Sequence, residues 1–131
     1  MDDLTAQVAA AAPFTAFLGI EMVAAEPGEV RARLAWREEI CTAGGVMHGG
    51  ALMGLADNVG GFCAFLNLPE DAGGTATIES KTNFFGPVRH GHVYAVSRPL
   101  HTGRRTIVVD TELYDDAGKL VARVTQTQAV L

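Results

Sequence analysis

Asp57 is the residue of this sequence that most needs a chemical explanation. It lies within GVMHGGALMGLADNVGGFCAF, residues 45–65, where almost everything around it is apolar or glycine. No basic residue falls within the helix that this run predicts, and Asn58 is its only other polar residue. A carboxylate taken out of water costs several kcal/mol unless it is paired or solvated. An acid lining a cleft, working as general base or nucleophile, reconciles residue type with place. The plainer alternative is an acid merely hydrogen-bonded in a polar pocket.

At 100° per residue, Gly50, Gly54, Gly60 and Gly61 share the face of Asp57. Each interior glycine costs roughly 1 kcal/mol of helix stability against alanine. Such a bare stripe suits the close approach of another backbone, as between two helices at a dimer interface, or a channel by which a ligand reaches Asp57. The triplet HGG places Gly49 and Gly50 in the first helical turn, where N–H groups lack intrahelical partners. Without side chains they can approach a substrate oxygen, and the helix dipole adds positive potential. That is the chemistry of an oxyanion hole. It sits roughly 10 Å along the axis from Asp57, too far for one carbonyl to touch both on one helix. A second copy of the chain would supply the missing half, giving a site shared across a dimer. His48 is a candidate base, or else a group that orients the start of the helix through hydrogen bonds.

The elements needed to position these groups follow from the patterning. Residues 3–17 predict a short helix interrupted at Pro13, residues 19–26 a strand, and VRARLAW (30–36) a cleanly alternating second strand. A loop leads into a central helix from about Gly49 to Leu66, and LPEDAGG (68–74) is loop by composition. Strand-like runs follow at 75–85, 91–103, 105–115 and from Lys119 to the end, the last pair joined by a DAG turn. A helix followed by an antiparallel meander is α+β, with the sheet curling round the central helix. That helix is apolar nearly all round, through Leu52, Met53, Leu55, Val59, Phe62 and Phe65, so it should be enclosed.

Length and composition limit the rest. The 131 residues fit one domain, 1–131, and no linker, charge run or repeat divides them. A hydrophobic fraction of 48% favours a subunit interface. The net charge of −5 argues against nucleic acid as partner, while a local arginine cluster still suits an anionic small molecule. Cys41 and Cys63 show no metal spacing and read as free thiols of a reducing compartment. An acidic N-terminal stretch without a signal's basic region, and no apolar run near membrane-spanning length, complete the reading of a soluble cytoplasmic protein with no membrane partner.

HGGALMGLAD, the glycine-rich helix and TNFFGPVRHG together resemble the hot-dog-fold acyl-CoA thioesterases, in particular the PaaI-like, phenylacetate-degradation branch. The resemblance runs from FLGIEMV to the final strand, and an acid nine residues after the histidine of HGG is its most specific part. It implies a long central helix wrapped by a curved antiparallel β-sheet, two subunits joining their sheets in a homodimer, and dimers pairing into a homotetramer. It implies hydrolysis of acyl- or aryl-acyl-CoA to free acid and coenzyme A, with no metal and no cofactor, coenzyme A being part of the substrate. Asp57 matches the family's catalytic carboxylate, as general base on water or as nucleophile. Gly49 matches the residue whose N–H binds the carbonyl oxygen, with Gly50 beside it, and Thr77 a hydroxyl position that helps orient water. Where some relatives carry Asn or Gln ahead of HGG, this chain has Thr42, whose side chain reaches less far.

Arg89, His90 and His92, with Arg104 and Arg105, are candidates for the coenzyme A phosphates, since the guanidinium fork suits phosphate. No third ligand is spaced to make His90 and His92 a metal site. Phe84 and Phe85 are core or acyl-pocket lining, and Leu52, Met53 and Phe62 would help set pocket size. Two other readings stand beside hydrolysis. One is a hot-dog hydratase or dehydratase acting on enoyl or hydroxyacyl thioesters, in which His48 would matter most. The other is a non-catalytic acyl-CoA-binding protein.

Overall fold

The computed structural model describes residues 2–131. In chain order the elements are α1 (Asp2–Ala11), α2 (Pro13–Leu18), β1 (Glu21–Glu26), β2 (Glu29–Ala35), a 3-10 turn (Glu38–Ile40), α3 (Gly49–Leu66), β3 (Thr75–Phe84), β4 (His92–Thr102), β5 (Thr106–Tyr114) and β6 (Leu120–Val130). Pro13 divides the N-terminal helix in two: it opens α2 in its first turn, where its missing N–H is no loss. Gly19 closes α2 at a φ of 81°, a left-handed cap that glycine adopts without strain.

The six strands form one antiparallel sheet in the order β1-β2-β4-β5-β6-β3, and α3 packs against its inner face. This is the α+β arrangement that the patterning predicts. Alternation turns Val30, Ala32 and Leu34 of β2, Val93 and Ala95 of β4, Ile107, Val109 and Leu113 of β5, and Ala122 and Val124 of β6 inward against Leu55, Val59 and Cys63 of α3. Burying each of the larger side chains contributes roughly 1.5–3 kcal/mol. Pro99 lies inside β4, and the strand accommodates it at a register shift between Pro99 and His101. On the outer face, Arg123 Nε donates to both oxygens of Asp110 at 3.0 and 3.2 Å, and Thr125 Oγ1 donates to the same carboxylate at 3.0 Å.

At a mean hydropathy of 1.2 over 18 residues, α3 is long and apolar enough to cross a membrane by length and composition. Its place against the sheet accounts for that hydropathy. Yet its own chain does not enclose it, contrary to what its apolar circumference suggests. Met53 (40% exposed), Asp57 one turn on and Phe65 (55%) two turns further lie on one open stripe. Beside it β3 is an edge strand that no other strand of the described residues pairs on its free side, exposed along most of its length, with Ile78 63% and Phe84 50% accessible.

The glycines of α3 prove not to form one bare groove. A Cβ on Gly54 would press on Leu18 and Phe14 of α2, at 3.0 and 3.1 Å. A Cβ on Gly60 would lie 2.1 Å from Nε2 of Gln126, so this glycine exists to admit a side chain of β6. Nothing lies within 4 Å of the same position on Gly61. Two neighbouring substitutions should therefore act with opposite sign. Gly60→Ala forces Gln126 aside and is expected to cost about 3 kcal/mol, by overpacking and a lost buried hydrogen bond. Gly61→Ala should instead stabilise, by up to about 1 kcal/mol through helix propensity. Urea unfolding midpoints of the two variants check this.

Candidate active site

The start of α3 is tied down from three directions. Met47 N–H donates to Val88 O and His48 N–H to Ile40 O, both at 2.8 Å, which fixes the entering loop against the β3–β4 connection. His48 is the N-cap, at φ −61° and ψ 137°, and its Nδ1 accepts the N–H of Gly50 at 2.7 Å. Its carbonyl accepts from Ala51 and Leu52 at 2.9 and 3.2 Å. The imidazole is thus a capping acceptor, with its hydrogen on Nε2. Gly50 is corrected accordingly, because its N–H is already engaged. Among the described residues only Gly49, of the first four helical N–H groups, has no partner. Phe84 stands over it: a Cβ on Gly49 would lie 3.0 Å from Cζ of that ring.

Asp57 lies about 12 Å further along the axis, at 1.5 Å per residue, so one chain cannot bring it to the same carbonyl as Gly49. Asp57 is an exposed residue in the single chain, with its carboxylate partly desolvated and the Thr77 side chain of β3 beside it. Desolvation by its surroundings raises its pKa above the ordinary value, and the Thr77 hydrogen bond opposes this in part. No cation forms an ion pair with it among the described residues. Asn58, one position on, is a structural tie: its Nδ2 donates to Gly54 O at 2.8 Å, and its Oδ1 accepts from the hydroxyl of Thr15 on α2.

The profile of the thioesterase superfamily matches residues 44–122, from the loop ahead of His48 into β6. The chain belongs to the thioesterase superfamily. This thioesterase is 31% identical over 113 residues to a candidate esterase of Mycobacterium tuberculosis, with 85% of this chain and 81% of that one covered. It is 33% identical over 87 residues to the 1,4-dihydroxy-2-naphthoyl-CoA hydrolase of Escherichia coli, covering 66% of this chain and 63% of that one. A solved thioesterase structure from Haemophilus influenzae superposes with a TM-score of 0.87 at 26% identity, over 95% of this chain and 86% of that one. The fold is the hot-dog fold, and the protein is a thioester hydrolase.

The cationic candidates of the thioesterase do not gather in one place. Arg89 and His90 lie in the β3–β4 connection, beside Asp115 and Asp116, near the Gly49 end of α3. Arg104 and Arg105 lie in the β4–β5 hairpin near the final residues, with Arg104 only 3.9 Å from Asp71. The length of β4 separates the two groups, roughly 35 Å at about 3.3 Å per residue, so one protomer cannot clasp one phosphate with both. His92 is 3.9 Å from Glu21 and tilted against Tyr94. Thr42 is exposed in the loop before α3, its N–H donating to Val46 O at 2.8 Å. Among the described residues no three His, Cys, Asp or Glu side chains come together as a metal site would need.

Two residues next to this site have no counterpart in the chemistry read from the sequence. Gln126 and Gln128 are 0% and 2% exposed on the inner face of β6. The signal was present: in VTQTQ the glutamines fall on the alternation that places Val124 inward.

Proposed function

We propose that this enzyme hydrolyses acyl- or aryl-acyl-CoA thioesters to the free acid and coenzyme A, in a homodimer whose two sites each draw on both subunits. Asp57 takes a proton from water, and the hydroxide equivalent adds to the thioester carbonyl. The N–H of Gly49 of the partner subunit holds the developing oxyanion. Collapse of the tetrahedral adduct breaks the C–S bond, and the departing thiolate takes up the proton. Direct attack by the Asp57 carboxylate, with later hydrolysis of the anhydride, would use the same groups. The free Gly49 N–H, on the same helix as Asp57 but beyond its reach, is the observation that carries this reading.

The assembly has support of its own. A bare β3 edge beside an open apolar stripe is what a second copy would cover by extending the sheet. Pairing of dimers into a homotetramer follows the family pattern. Arg89 and His90, at the Gly49 end, are the better placed candidates for coenzyme A phosphate. The two free thiols, Cys41 and Cys63, suit a cytoplasmic setting. The engagement of His48 Nδ1 as a cap weighs against the hydratase reading, which needs that imidazole for proton transfer.

The test is thiol release from acetyl, medium-chain, phenylacetyl and benzoyl CoA. With Met53, Phe65, Phe84 and Phe85 exposed around the site, a bulky apolar acyl group should exceed acetyl in kcat/KM by about tenfold or more. Tight coenzyme A binding with no thiol released from any of the four would mean a binding protein instead.

A further inference from the structure

The core of this fold contains a polar row that an apolar core does not need. It crosses beneath α3 from β6 to β3, and its bonds have a definite direction. The carbonyl of Ala56 can only accept, and it accepts from Nε2 of Gln126 at 3.1 Å. The NH2 of Gln126 must therefore face the helix, leaving its Oε1 to accept from Nε2 of Gln128. The NH2 of Gln128 donates its second hydrogen to Oγ1 of Thr77, its cross-strand partner, at 2.7 Å. With its oxygen so occupied, the Thr77 hydroxyl has its own hydrogen free for the neighbouring Asp57 carboxylate, whose pKa it acts to lower. Turning either amide over would set two acceptors or two donors face to face.

We propose that Gln126 and Gln128 are positioning residues for the reaction: anchored on the Ala56 carbonyl, they fix the Thr77 hydroxyl as a donor to Asp57 and so hold the carboxylate in its working orientation and ionisation. The inference rests on the reading of Asp57 as the base or nucleophile. Gly60 belongs to the same device, since only glycine leaves room for the Gln126 amide. Buried amides are worth keeping when their network is connected, and here every link from the Ala56 carbonyl to Thr77 is made. Among the described residues no charged group pairs with Asp57. On β3, Glu79 and Lys81 pair with Thr127 and Thr125, on the side of the sheet away from Gln126 and Gln128, and the charges of β5 and β6 that meet there, Asp110 and Arg123, bond to each other. The remaining residues of α3 carry no charge, and neither do those of α2.

The test replaces Gln128 with methionine, similar in length but unable to hydrogen-bond, in the wild-type and Thr77→Val backgrounds. Gln128→Met should lower kcat about tenfold, the scale of one hydrogen bond to a charged group, with KM nearly unchanged. It should also move the acid limb of kcat/KM to higher pH, because the ionised carboxylate loses an ordered donor. In the Thr77→Val background the same change should add nothing, and Thr77→Ser should restore the effect. An unmoved acid limb, or additive losses, would overturn the proposal. Melting curves come first. Should Gln128→Met fail to fold, Gln128→Asn, which draws the NH2 back by one methylene, carries the same expectations. Asp57→Asn run alongside separates the two layers. If it is inactive while Gln128→Met keeps the wild-type pH profile, only the positioning role is lost. If Asp57→Asn is active, the reading beneath it is lost as well.

Discussion

Asp57→Asn is expected to lower kcat/KM for the best thioester substrate by roughly 10²–10⁴-fold, the range typical of a positioned general base. The substitution keeps size and hydrogen-bonding capacity while removing the charge, so the loss should appear in kcat with KM little altered. The wild-type enzyme should show an acid limb in kcat/KM displaced upward from the usual aspartate value, because desolvation raises the Asp57 pKa. The variant's residual rate should lack that limb. Stability should move the other way. In the unfolded chain this aspartate titrates near its reference value of about 3.9. As pH rises from there to the raised folded pKa, the native state holds a proton that the unfolded state has released. Stability therefore falls through that window and stays reduced above it. Asp57→Asn removes the penalty, so it should melt above the wild type at neutral pH and level with it near pH 3, below both titrations. The gain is small, since Asp57 is exposed in the single chain. A variant with full activity would end the hydrolytic reading of this residue.

Gly49→Pro should be nearly as damaging, for a different reason. Proline removes the one N–H at the helix start that has no partner. Backbone strain is small: the position is the first of the helix, and His48 already has the extended conformation that a residue before proline prefers. The added atoms meet the ring of Phe84, which is half exposed and can turn aside. Loss of one oxyanion donor costs roughly 10²–10³ in kcat. Mixing decides whether the site is shared. Dimers refolded from equal amounts of Gly49→Pro and Asp57→Asn chains contain one intact site in each mixed pair. Activity should recover to roughly a quarter of wild type, as random pairing in a two-fold dimer requires. If both groups served one carbonyl within a single chain, the mixture would stay as inactive as its components.

The sequence carried the architecture plainly because the pattern was local. The alternation in VRARLAW, the turn at DAG and the apolar stretch from Gly49 to Leu66 each identify an element without help from its neighbours. Pro99 inside β4 did not mislead, since the apolar stretch from Val93 to Val96 ahead of it outweighs one residue placed at a bulge. What the pattern could not resolve depends on which groups meet in space. Gly54, Gly60 and Gly61 look alike in a helical projection, yet one faces Phe14, one faces Gln126 and one faces open space. Gly50 and Gly49 are adjacent and chemically identical, and only the rotamer of His48 decides which keeps its N–H free. Arg89 and Arg104 both look like phosphate ligands until the length of β4 is set between them. In each case the deciding quantity is a contact or separation in three dimensions, local at Gly50 and long-range at the others.

The bare edge of β3 has a consequence for the life of the chain before it finds its counterpart. A lone copy displays ten residues of strand with hydrogen-bonding groups unspent on one side, and Ile78, Phe84 and Phe85 beside them. That surface accepts any extended peptide, not only the matching strand of an identical neighbour. Newly made chains therefore compete between pairing and clumping, and slow synthesis or dilution lengthens the interval in which the wrong encounter wins.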